Sequence, residues 1–179
     1  MLKLTLPALF IGVVLAALPS GLQASSSCGE EHEDWESLVA GSERIVEAEI
    51  LDKRSRLTED GIVETTYTLA TITPIKGQNA SIQEITLPGG EIAGQGTVIP
   101  GMPELSVGDR NILFLSKVEK SRNWRMPVGL KAGALKVEPD PHKPSKTKVL
   151  RQNLHGDRIS AESYTGTLNE IFAEVAHQG

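Results

Sequence analysis

Thr86 to Leu115 reads TLPGGEIAGQGTVIPGMPELSVGDRNILFL, and this stretch decides the fold. It holds six of the seventeen glycines and three of the ten prolines, between the end of one strand and the apolar run Ile112–Leu115. Glycine reaches backbone angles closed to other residues, and proline pre-sets φ and removes a ladder donor. So many together specify the path of a long connection between strands. Ile92, Val98, Ile99, Met102 and Leu105 give that connection apolar side chains to pack with, so it reads as ordered.

Before this connection the pattern has period two. Val46, Ala48 and Ile50 share one face of a strand beginning at Ile45, while Glu47 and Glu49 point away. Glu59-Asp60-Gly61 turns the chain into a long β-branched strand, Ile62–Ile75, whose apolar face switches between Leu69 and Ala70, the mark of a bulge. Lys76-Gly77 leads into a third strand, Ile82–Leu87. After the connection, Asn111–Val118, Asn123–Val128 and Ala132–Val137 read as further strands, with Gly129 and Gly133 at the bends. Residues 139–166, with prolines and lysines at their start, read as a solvated tether.

Helices bracket the strands. Trp35, Leu38 and Val39 fall at i, i+3 and i+4 behind Asp34, which predicts a short capped helix over Asp34–Ala40 that docks Trp35. At the other end Thr167 and Glu170 form a capping box before the stripe Leu168, Ile171, Phe172 and Val175, predicting a helix to His177. The fold expected is mainly β: a small antiparallel OB-like barrel of five to six strands over 34–138, with a helix at each end.

The N-terminus reads as a leader. Lys3 precedes an apolar run from Leu4 to Leu18, followed by Pro19-Ser20-Gly21 and small residues, the pattern of a secretory signal peptide ending at Ala24. The run is too short and interrupted for a transmembrane helix. Residues 25–33 read as a flexible mature N-terminus. The export reading places the chain in the periplasm or outside the cell, and a bacterial envelope fits a domain with one cysteine and no internal disulfide. Cys28 follows small residues, as lipid attachment requires, but Ser25 stands where a branched apolar residue is needed. Without the leader the chain carries 17 basic and 23 acidic residues and six aromatics, a poor composition for binding nucleic acid.

Catalytic and metal-binding patterns are sparse. Cys28, Glu30, Glu31, His32, Glu33 and Asp34 are ligand-type residues, but on a flexible terminus they read as an acidic tail, so no metal and no cofactor is expected. Gly89–Gly96 lacks the Lys-Ser/Thr of a phosphate cradle, and there is no Gly-x-Ser-x-Gly elbow. The leading expectation is a non-enzymatic binding or scaffolding module for an unknown protein or envelope component. Its candidate surface is Gly89, Gly90 and Glu91 with Trp124 and Arg125. Two alternatives stay open: an exported hydrolase with a scattered site, Glu91 and Asp109 its first carboxylates, and a metalloprotease-inhibitor-like module.

The segments SERIVEAEI, TYTLATITPIKG, LPGGE, VIPGMPELSVGDRNILFL and VGLKAGALKV, in that order over roughly Leu38–Val137, resemble a group of bacterial exported proteins of uncharacterised function. That group carries P-G-G, G-x-P-x-F-x-x-G-E, F-L and V-G-L-x-Q-G in series. This chain departs at Glu47-Ala48, at Leu105 in place of an aromatic, and at Lys131-Ala132. The order is also distantly similar to netrin and metalloproteinase-inhibitor modules, OB-like barrels. That likeness implies a role for Cys28: as a mature N-terminus, its amine and carbonyl would chelate a partner's zinc. Neither resemblance brings a catalytic residue.

Mass spectrometry of the exported chain should find Ser25 as its first residue. A diacylglyceryl group on Cys28 would make it a lipoprotein instead, and cleavage after Ser27 would revive the inhibitor reading.

Overall fold

The alternation at Ile45–Ile50 marks the strand on which the sheet is built. The computed structural model describes residues 34–152 and 158–179. Helix α1 (Trp35–Gly41) leads into β1 (Arg44–Leu57), which folds back on β2 (Val63–Lys76), followed by β3 (Ile82–Pro88). A small hairpin, β4 (Gly90–Ile92) and β5 (Gln95–Thr97), lies within the glycine-rich connection. Then come β6 (Arg110–Leu115), a 3-10 turn (Leu130–Gly133), β7 (Ala134–Asp140), β8 (Lys143–Gln152), β9 (Arg158–Ser163) and α2 (Tyr164–Gln178). Seven strands form one antiparallel sheet in the order β3-β2-β1-β6-β7-β8-β9.

Strict alternation gives the sheet two apolar faces. Val46, Ala48, Ile50, Tyr67, Leu69, Leu113 and Leu115 fill the inner one, where Met102, Leu105 and Met126 cover them. Ile45, Ile112, Phe114, Leu135, Val137 and Val149 fill the outer one, under Leu38 and Val39 of α1 and Ile171 of α2. The predicted first helix is present. Asp34 caps it by accepting from the Ser37 amide at 2.7 Å, and Trp35 stacks on Phe114 with centroids 6.0 Å apart.

β2 does switch faces, but at Ile72 rather than between Leu69 and Ala70. Ile50 pairs with Leu69 and Asp52 with Thr68, so Leu51 is an extra residue on β1 at that point. Ile72 is extra on β2, and beyond it the alternation turns over: Tyr67 and Leu69 lie inside, Ile75 outside.

Several expectations are corrected. The mainly β fold with a helix at each end holds, but no strand ladder closes it into a barrel among the described residues. The expected strand Asn123–Val128 makes only the bridges Glu119–Trp124 and Leu115–Pro127. Asn123 has φ 58° and Pro127 lacks an amide donor, and both work against a ladder. The segment still stitches the inner face. The Ser116 amide donates to Met126 O (2.9 Å), Val128 to Phe114 O (2.7 Å), and Arg125 to Thr86 O (3.1 Å) on the free edge of β3.

The expected tether carries β8 and β9. Its prolines avoid the places where a donor is needed: Pro141 lies in the turn, and Pro144 where the register slips between Pro139–Thr147 and Asp140–Lys143. Val149 and Leu150 supply the buried contacts that anchor the otherwise polar hairpin. The last helix starts at Tyr164, not Leu168. Ser163 caps it by accepting from the Gly166 amide (3.1 Å), while Thr167 sits inside, its hydroxyl donating to Glu162.

Glu47 does not point to solvent. Its side chain is fully buried on the outer face. Oε1 accepts from Arg110 Nε (2.8 Å) and lies 2.7 Å from its Nη2, and Oε2 accepts from the Tyr164 hydroxyl (2.9 Å) and Thr73 Oγ1 (2.6 Å). Arg110 also donates to the Tyr164 hydroxyl (3.0 Å), with its guanidinium carbon 5.0 Å from that ring's centre. Burial, and then Glu47, pushes the Tyr164 phenol up. Removing one partner of a buried ion pair strands the other charge. Arg110→Met should therefore destabilise the fold by about 3 kcal/mol in urea unfolding. Adding Glu47→Leu should recover most of the loss; no recovery would show that Arg110 acts by other means.

Candidate functional site

The glycine-rich connection leaves β3 where a side chain cannot follow. Gly89 donates its amide to Val63 O (2.7 Å), and its carbonyl accepts from Thr65 Oγ1 (2.7 Å). Gly90 has φ 130°, and a Cβ there would lie 2.1 Å from Thr65 Oγ1 and 2.9 Å from Ser55 Oγ. Glycine is required by both angle and space. The chain then turns at Ala93 (φ 51°) and Gly94 (φ 80°), the left-handed pair of a two-residue hairpin.

Beyond the hairpin the connection is tied down repeatedly. Met102 donates to Ile99 O (3.1 Å), and the Lys131 amide donates to Gly101 O (3.0 Å). Leu105 is buried in the inner core. The closing turn is locked to β1 by Gly108 N to Ile50 O (2.8 Å) and Ile50 N to Asp109 O (2.9 Å).

A half-open cavity of about 690 Å³ lies along this connection, lined by it and by the neighbouring sheet. Tyr67 and Leu87 come from the sheet, Ile99, Met102 and Leu105 from the connection. Four charged side chains also line it: Lys53, Glu91, Glu104 and Lys131. None makes an ion pair among the described residues, whereas Arg54, Arg56, Arg110, Arg122 and Arg125 are all paired. Burial pushes the Tyr67 phenol up, helped by the Glu104 carboxylate, so the tyrosine stays a neutral hydroxyl. A concave, largely preformed site with apolar walls and a few uncommitted polar groups is the usual form of a ligand pocket.

The predicted surface divides in two. Gly89, Gly90 and Glu91 line the cavity; Trp124 and Arg125 do not. Arg125 is buried, and its guanidinium donates to Ser116 O (3.0 Å) and Glu43 (3.2 Å). Trp124 donates its indole N–H to Glu64 Oε2 (2.8 Å), and Arg56 donates to Oε1 of the same carboxylate (2.6 Å). Burial pushes the Glu64 carboxyl up, but Trp124 and Arg56 outweigh it and leave it below its ordinary value. Arg122 lies over the Trp124 ring at 5.0 Å and reaches Asp60 at 2.5 Å. This cluster pins the β1–β2 turn.

The hydrolase carboxylates are also apart. Glu91 is at the cavity, whereas Asp109 is outside its lining, paired with Lys136 (3.0 Å) and capping Ser106. No group of three or more metal-ligating side chains occurs among the described residues. The acidic tail at Cys28–Glu33 lies outside them, as do His32 and His155. Among the described residues no helix is long and apolar enough to cross a membrane.

Sequence reasoning missed Tyr67, Lys53 and Lys131. Tyr67 has the core-facing phase of β2, and nothing in the alternation separates a tyrosine filling the core from one flooring a cavity. Neither family models, nor curated proteins, nor solved structures give a match to this chain.

The Arg122 guanidinium and the Thr58 hydroxyl hold the Asp60 carboxyl at about 2, below its ordinary 3.8. A depressed folded value means the stabilisation is complete above 3.8 and is lost as pH falls through about 2. The difference in melting temperature between the native chain and Asp60→Asn should shrink across that window; a constant difference would refute the latch.

Proposed function

We propose that this chain is an exported, non-enzymatic binding module whose ligand occupies the cavity beneath the glycine-rich connection. The supporting observation is the company of Lys53, Glu91, Glu104 and Lys131 without ion-pair partners around apolar walls. A charge left uncommitted at a concave site can answer a ligand's charge without first breaking an internal pair. The fixing of the roof at Gly89, Gly101, Leu105 and Gly108 means that little ordering entropy is lost on binding. Export is supported by the Met1–Ala24 leader pattern and by the order of motifs shared with the exported group.

Amide NMR of the full chain, titrated separately with short peptides, neutral oligosaccharides and lysophospholipid, tests this. At least one class should shift Tyr67, Met102 and Lys131 saturably. If no class moves them, the cavity is not a binding site and the reading falls.

A further inference from the structure

The hairpin beside the cavity has one edge with nothing on it. Ile92 and Gln95 flank its two-residue turn and Gly90 opposes Thr97, so these pairs carry the inter-strand bonds, and Glu91–Gly96 is the pair between. The Gly96 N–H and C=O therefore point away from β4. Among the described residues β5 pairs with no strand but β4 and is exposed along its whole length, and Gly96 and Thr97 line the cavity. A free strand edge is a template for another extended chain.

The cavity's charges narrow the class further. Two lysines and two glutamates sum to zero, which gives no preference for a polyanion or a polycation. Tyr67 is the one aromatic side chain in the lining, so the stacking platform on which sugars are usually held is small. A ligand with apolar side chains, charges of both signs and its own backbone donors and acceptors matches every uncommitted group. That description is a peptide.

We propose that the cavity binds an extended peptide segment of mixed charge, added as a third strand along β5 through the Gly96 amide and carbonyl. This rests on the cavity being the ligand site. The peptide's apolar side chains enter between Tyr67 and Met102, its acidic groups answer Lys53 and Lys131, and its basic groups answer Glu91 and Glu104. The exposed Val98, at 87 % accessibility, follows β5 directly and gains cover from the added strand.

Gly96→Pro provides the test, because it removes the outward donor and leaves the hairpin's own bonds in place. Gly96→Ala is the control. An alanine Cβ would meet Gly90 O at 3.4 Å and Glu91 Cβ at 3.8 Å, both tolerable, and it keeps the amide. A random hexapeptide mixture is passed over immobilised full chain, and the retained sequences are read by mass spectrometry. The native chain and Gly96→Ala should retain a common set of peptides, and Gly96→Pro at least tenfold less. N-methylating a retained peptide at successive positions should abolish binding at alternate ones, a readout that does not depend on how Gly96→Pro folds. No retention by the native chain, equal retention by a folded Gly96→Pro, or indifference to N-methylation overturns the proposal. If saccharide or lysophospholipid shifts Tyr67 and Met102 while peptides are not retained, the cavity remains a ligand site and only the peptide assignment fails.

Discussion

A carboxylate with no water around it governs how this fold is assembled. Glu47 sits mid-way along the apolar half of β1, and its two oxygens are taken by Arg110 of β6, Thr73 of β2 and Tyr164 of α2. A buried ion pair is not by itself a large gain, since desolvation offsets the attraction. What it does is forbid alternatives. A β1–β6 register slipped by one residue would bring Glu47 to the inner face among Val46's neighbours, with no donor in reach. The same contacts fix the start of α2 against the sheet, and so help bring Ile171 into the outer core.

The two faces of the sheet solve different problems. The outer one is closed by helices, through Leu38 and Val39 of α1 and Ile171 of α2. The inner one has no helix, and its cover is irregular chain: the connection from Gly89 to Asp109 and the segment Trp124–Val128. Irregular backbone over a core must satisfy its polar groups singly, which explains the series of isolated hydrogen bonds to Val63, Ile50, Phe114 and Thr86. Where those ties are spaced widely, the cover stands off the core and the cavity remains. Among the described residues one buried side-chain group stays unmatched, the Asn111 amide, in a strand otherwise fully paired.

The sequence made the strands legible wherever one face was apolar and the other polar. The alternation at Ile45–Ile50 marked β1, and Asp34 ahead of Trp35, Leu38 and Val39 marked the first helix. The sequence misled where composition and environment part. Glu47 and Glu49 are indistinguishable in an alternating pattern, yet one is fully buried and one exposed: Arg110 stands opposite Glu49 in the ladder but turns its guanidinium to Glu47, which Thr73 and Tyr164 also reach. Residues 143–152 look like a linker because Val149 and Leu150 suffice to hold them. The close backbone approach at Gly89 and Gly90 was legible in the paired glycines. Trp124 and Arg125 look like recognition residues for the very chemistry that here ties them to Glu64, Glu43 and Ser116.

The span of the Glu47 contacts also sets an order of events in time. The β1–β2–β3 meander can form from neighbouring chain, but it buries Glu47 only after Arg110 has arrived from 63 residues downstream and Tyr164 from 117. Until then, burying the apolar half of β1 costs either the desolvation or the protonation of that carboxylate. Closure of β6 and α2 over β1 is the long-range step of this fold, and it is the one that lets the carboxylate leave water with its partners in place.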